Sequence, residues 1–160
     1  MLDDHLYDTE GLCRHGLHVH LVNKKQILFI PTLQGYMLSE ATVMFDYPMD
    51  AEKIGIMVFQ FFEQMKQRNL TLYSPYKKHW LMPKGVRSYK KYVEATFAIS
   101  LQCDEDIFGV IRWFPACDRG FEKERSDMYD TTINTAVSAK ELGEFILQQF
   151  QYIEMKRQSL

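Results

Sequence analysis

No apolar run in the sequence approaches the roughly 18 residues that cross a bilayer, which argues against a membrane helix. The opening Met1-Leu2-Asp3-Asp4-His5 has neither the basic segment nor the apolar core of a secretory signal, so a cytoplasmic protein is expected. Cysteine is scarce. Cys13, Cys103 and Cys117 are odd in number and irregularly spaced, which excludes a disulfide framework and fits free thiols in a reducing compartment. An excess of one charge is also missing. A formal net charge of -2 disfavours a dedicated nucleic-acid binder, whereas a weakly acidic surface suits a basic protein partner. There is no glycine-rich phosphate loop, no nucleophile elbow, no protease signature and no low-complexity tract.

What is present is material for a core. Hydrophobic residues make up 46% and aromatic residues 14% of a 160-residue chain, enough for one packed domain over 1–160 without staples. Apolar residues recur at helical spacing in two places. Ala51, Ile54, Val58, Phe61, Phe62 and Met65 share one face, as do Ala139, Leu142, Phe145, Ile146, Phe150 and Ile153. Asp50 and Ser138 are N-cap residues, and Ser138 with Glu141 has the spacing of a capping box. Met49 with Ile54, and Val137 with Leu142, are placed as hydrophobic staples. Helices are predicted from Asp50 to about Gln67 and from Ser138 to about Met155.

The two helices belong to a weak internal repeat. Asp50-Ala51-Glu52-Lys53-Ile54-Gly55 parallels Ser138-Ala139-Lys140-Glu141-Leu142-Gly143, and the β-prone Thr42 to Phe45 and Thr131 to Ile133 precede them. Two copies are too few for a solenoid. Gly55 and Gly143 each cost a helix about 1 kcal/mol relative to alanine, which a close approach of each helix to a sheet would explain.

The remainder reads mainly as strand. Leu17 to Val22 and Gln26 to Thr32 flank Asn23-Lys24-Lys25 as a hairpin, and Leu70 to Tyr73 is a short strand candidate. Ala95 to Leu101 and Ile107 to Phe114 flank the acidic turn Cys103-Asp104-Glu105-Asp106. Ser88 to Glu94 reads as one or two helical turns, and Pro115 to Asp127 as a loop. The expected fold is therefore α/β, with α+β possible: one mixed or antiparallel sheet with two main amphipathic helices packed on it.

Four constellations bear on chemistry. Cys13, His15, His18 and His20 offer zinc-ligand types, and a metal-dependent hydrolase could use the histidines, but the spacing is no zinc motif and no second pair completes it. The alternative places His18 and His20 on the solvent side of an edge strand, with Leu17, Val19 and Leu21 facing inward. Cys103 and Cys117 lie near strand ends without a local histidine partner and read as buried or idle thiols. Tyr76-Lys77-Lys78-His79-Trp80 and Tyr89-Lys90-Lys91-Tyr92 interleave aromatics with bases. That mixture serves either a small RNA-binding module or a solvated face with snorkelling lysines. Asp104, Glu105 and Asp106, followed by Asp118, Glu122 and Glu124, either solvate turns or steer a basic partner. No cofactor site and no catalytic set is expected.

Two segments carry a family resemblance. Arg87-Ser88-Tyr89-Lys90-Lys91-Tyr92 resembles the lysine/arginine-Ser-Tyr-Lys-x-aromatic motif of contact-dependent growth inhibition immunity proteins. Ser138-Ala139-Lys140-Glu141-Leu142-Gly143-Glu144-Phe145-Ile146-Leu147-Gln148 resembles that family's C-terminal Ser-x-x-Glu-Leu-Gly helix. The resemblance covers the chain from Arg87 onward. It implies a protein that is not an enzyme and that binds, one to one, the toxic C-terminal domain of a cognate effector, frequently a nuclease. It transfers no contact residue, because the matching motifs read as scaffold. The acidic residues Asp104, Glu105, Asp106, Asp118, Glu122 and Glu124 are the expected toxin-facing set. No direct contact with nucleic acid, membrane or a small-molecule substrate is expected.

Overall fold

A computed structural model describes residues 15–33, 36–37, 42–66, 86–117, 120–124 and 129–159. The elements run β1 (His15–Val22), β2 (Gln26–Leu33), β3 (Tyr36–Met37), β4 (Val43–Asp46), α1 (Ala51–Lys66), α2 (Tyr89–Ala95), β5 (Thr96–Asp104), β6 (Ile107–Pro115), β7 (Phe121–Lys123), β8 (Thr131–Asn134) and α3 (Ala139–Gln158). The strands form one antiparallel sheet in the order β3-β2-β1-β5-β6-β7. Two short strands finish each edge: β4 joins β3 along β2, and β8 joins β7 along β6. The expected α/β fold with a single sheet and two main packed helices is what the chain adopts.

Strand alternation divides the core between the two faces. Leu17, Val19, Leu21, Ile27, Phe29, Ile99, Leu101, Phe108 and Val110 point one way, into a layer formed by the apolar stripes of α1 and α3. Val22, Leu28 and Ile30 point the other way and pack with Val86 and Tyr92 of the α2 region. The β1–β2 hairpin turns through Asn23 and Lys24, both with positive φ (55° and 53°), and Glu105 (φ 53°) does the same between β5 and β6.

The helix caps form as the sequence predicts. The Glu52 amide donates to Asp50 Oδ1 at 3.0 Å, and the Glu141 amide to Ser138 Oγ at 3.1 Å. Half of the capping box departs from expectation: the Ser138 hydroxyl donates to Glu141 Oε1. Met49 and Val137 pack against the core where staples should.

The two helical glycines have one shared cause. A Cβ on Gly143 would lie 2.9 Å from the Ala51 Cα and closer still to that residue's carbonyl oxygen. A Cβ on Gly55 would lie 2.7 Å from the Ala139 Cα and again closer to its carbonyl. The first turns of α1 and α3 therefore touch backbone to backbone, each through an Ala-x-x-x-Gly step. The repeat in the sequence is the signature of this reciprocal contact. The close neighbour is the other helix, not the sheet.

Three expectations need correction. The stretch from Pro115 to Asp127, expected as loop, contains β7. Of the two readings of Cys103 and Cys117, buried or idle, their exposure overturns the first. Histidines 18 and 20 are not on the solvent side of an edge strand, because β1 is interior, bonded to β2 on one side and β5 on the other. The strand candidate Leu70 to Tyr73 and the segment Tyr76 to Trp80 lie outside the described residues, as do Cys13 and Asp118.

Candidate functional site

Two places bring functional side chains together, one at each end of β6.

The first is the β5–β6 turn. Asp104, Glu105 and Asp106 are all exposed there, and the Thr135 amide donates to the Asp106 carbonyl at 2.8 Å, tying the turn to the β8–α3 connection. Beside the turn is an open groove of about 370 Å³. Phe59 and Phe62 of α1 and Phe108 of β6 form its floor, and Glu63, Lys66, Cys103 and Glu105 form its rim. The rings pack at a tilt, with Phe62 and Phe108 centroids 5.1 Å apart and Phe59 and Phe108 5.9 Å apart. Partial burial raises the Cys103 pKa, the Lys66 ammonium opposes that shift, and Asp104 adds to it. The thiol is consequently a poor nucleophile at neutral pH.

The expected acidic set is divided. Glu122 and Glu124 belong to the β7 region, which pairs with the far end of β6. Glu122 lies opposite Phe114, seven residues along β6 from Ile107 and about 24 Å away at an antiparallel rise of ~3.4 Å per residue, and Glu124 follows Lys123, which lies opposite Trp113. Glu124 is partly neutralised by Lys156 at 3.4 Å. One rigid partner face cannot centre on both groups, and the turn has a groove with phenylalanines in its lining next to it.

The second place lies on the α2 side of the sheet. His18 and His20 share that face of β1, and Trp113 of β6, Phe121 of β7 and Tyr89 and Tyr92 of α2 close around them. The cavity they line is about 180 Å³. The His18 ring stacks on Trp113 at 6.1 Å and meets the His20 ring edge to face at 5.7 Å. His20 Nδ1 hydrogen-bonds the Tyr92 hydroxyl at 2.6 Å, while its Nε2 is buried with no partner. The Trp113 indole N–H donates to Ser100 Oγ at 2.9 Å, which fixes the plane of that ring.

Burial governs the titration of this cluster. It pushes His18 down to about 4 and His20 well below its ordinary value, the latter also by the neighbouring His18. It also raises the Tyr92 phenol, with Tyr89 adding to the effect. His18, His20 and Tyr92 are therefore neutral at pH 7. Of the zinc candidates, Cys13 and the His15 side chain lie outside what is described, His20 bonds Tyr92 through one nitrogen, and no group of three His, Cys, Asp or Glu gathers among the described residues.

The segment resembling the immunity-protein motif contributes directly here. Ser88 caps α2, its hydroxyl accepting from the Lys91 amide at 3.2 Å, and Tyr92 is wholly buried against His20. Sequence reasoning singled out the histidines and the tyrosines but did not join them, because Trp113 and Phe121 come from strands more than 90 residues further along than His18.

No helix among the described residues is long and apolar enough to cross a membrane. Neither family models nor curated proteins match the sequence. Among solved structures, a protein of unknown function from Neisseria meningitidis is similar in fold, with a TM-score of 0.58 at 9% sequence identity. The match covers 87% of this chain and 94% of that one, so the likeness extends over nearly the whole of both and speaks for the fold alone.

Proposed function

We propose that the protein is a cytoplasmic immunity protein that binds the C-terminal toxin domain of a contact-dependent growth inhibition effector and blocks it by occlusion, without itself being an enzyme. The observation that supports this most is the pairing at the β5–β6 turn: three consecutive exposed acids beside a groove floored by Phe59, Phe62 and Phe108. Protein interfaces concentrate their energy in a desolvated apolar centre and use surrounding charge for encounter and orientation. An aromatic-floored groove rimmed by Glu105 and flanked by Asp104 and Asp106 has that composition. A toxin that handles nucleic acid carries cationic groups for its own substrate, and those groups suit this surface.

Of the six acidic residues expected to face the toxin, this reading retains Asp104, Glu105 and Asp106 at the centre. Glu122 and Glu124 fall to the periphery or outside the interface. The sequence resemblance from Arg87 onward adds to the case independently of the surface. The test is co-expression with the toxin domain encoded beside the gene. Protection from growth arrest, together with a one-to-one complex, is expected. Toxicity unchanged by co-expression, with no complex formed, would remove the proposal.

A further inference from the structure

We propose that the aromatic cavity between α2 and the sheet binds one nucleobase carrying a phosphate, supplied either as a free mononucleotide or as one residue of single-stranded RNA.

Size comes first. A cavity of about 150 Å³ holds a single benzene ring, so the 180 Å³ here admits one base and little more. The walls come next. His18, His20, Tyr89, Tyr92, Trp113 and Phe121 present aromatic surface from several directions and, with both histidines neutral, no formal charge. Stacking on such surfaces is how proteins hold single bases, because every base has a π-face. The Trp113 plane is set beforehand by its bond to Ser100, so its ring need not be ordered when a ligand arrives.

Two further observations favour a base over a plain hydrocarbon. His20 Nε2 is a buried polar atom without a partner, and it belongs to the lining of this cavity. A neutral imidazole nitrogen donates or accepts a single hydrogen bond, which one polar atom of a base edge can supply. A cation also stands near the cavity wall, and two more are close to Tyr89 in the sequence. Phe121 and Lys123 lie on the same side of β7, and the Lys123 ammonium is 5.6 Å from the Trp113 ring centroid. Arg87 and Lys90, both exposed, flank Tyr89, which is itself 51% exposed at the rim. Glu122 points to the opposite side of β7, so these cations are not offset by that acid. A nearly neutral whole molecule does not oppose this, since a single phosphate responds to the local charge.

The site is on the other side of the sheet from α1 and thus from the proposed toxin-binding groove, so the two readings fail separately. The experiment is calorimetric titration of the full chain at pH 7.5 with adenosine and uridine 5′-monophosphates, the corresponding nucleosides, and a hexanucleotide RNA. We expect saturable one-to-one binding of the nucleotides, with the nucleosides several-fold weaker. Tyr89→Ala, on a half-exposed side chain whose loss leaves the core intact, weakens binding about ten-fold, the scale of one lost stacking face. Trp113→Leu does the same, and Lys123→Ala weakens the nucleotides but not the nucleosides. A hexanucleotide that binds at least ten-fold tighter than the monophosphates identifies RNA as the source of the base, and one that binds no tighter identifies free nucleotide. Absence of saturable binding at about 10 mM overturns the proposal, as does binding that Tyr89→Ala leaves unchanged.

Discussion

Replacing Gly143 by alanine tests the packing of the two main helices with the smallest available perturbation. In an isolated helix the change is favourable by about 1 kcal/mol, because glycine loses more backbone freedom on folding. Here the added methyl would sit 2.9 Å from the Ala51 Cα and nearer still to its carbonyl oxygen. Those are backbone atoms of another helix, so no rotamer change relieves the clash, and α1 and α3 must move apart. Separation loosens Ile54, Val58, Leu142 and Ile146, all fully buried. Overpacking of this kind costs about 1–3 kcal/mol, and a rigid backbone neighbour places Gly143→Ala at the upper end. After the propensity gain, a net loss of about 2 kcal/mol remains. In a domain of this size that lowers the melting temperature by about 4–8 °C. Gly55→Ala meets Ala139 in the same way and should cost a similar amount. The double variant should lose less than the sum, because helices already parted by one methyl have room for the second. Differential scanning calorimetry of the two single variants and the double variant supplies the cycle. A melting temperature that rises or stays fixed in Gly143→Ala would refute the reciprocal contact, since helix propensity would then be acting unopposed.

Acid should destabilise the fold in a defined window. His18 is held neutral down to about pH 4, whereas the unfolded chain protonates it near 6.5, so its contribution is complete above 6.5 and fades as pH falls toward 4. At pH 5 the loss from this residue is about 2 kcal/mol relative to pH 7.5, with His20 adding in the same direction. Urea midpoints at the two pH values check this, and His18→Phe, which keeps a ring against Trp113, should flatten the dependence. Arg112 reaches from β6 to α3, donating to Gln149 Oε1 at 2.9 Å and lying 3.9 Å over the Tyr152 ring. Arg112→Ala should therefore lower stability by about 1–3 kcal/mol, leaving Gln149 buried and short of a donor, as denaturant titration would show.

Much of the fold is legible in the sequence because its strongest signals are local. Caps at Asp50 and Ser138, stripes along both helices and turn residues at Asn23 and Glu105 act within a few positions of themselves, and the structure follows them. Positions that depend on distant pairing are not legible in that way. The alternation Leu17, Val19, Leu21 against His18, His20 sorts the faces of β1 correctly, but only its register with β5, Leu17 opposite Leu101, makes β1 interior and its second face dry. The aromatic cavity is hidden for the same reason: His18, Tyr92, Trp113 and Phe121 come from four elements that meet only after the sheet forms. The reciprocal glycines fall in between. Their repetition is visible in sequence, while their contact with each other's helix is not.

The measurement that bears most directly on the account is the association rate with the neighbouring toxin domain, followed by stopped flow at low and high salt. Three chains are compared: the natural one, a charge reversal at Asp104, Glu105 and Asp106, and a reversal at Glu122 and Glu124 near the far end of β6. Rim charges act chiefly on the encounter and are screened by salt. The turn reversal should slow association at low salt by about ten-fold and flatten its salt dependence, while the β7 reversal leaves both nearly unchanged. Equal effects from both reversals, or a turn reversal that associates like the natural chain, would contradict the assignment of the β5–β6 turn and its phenylalanine groove as the binding surface.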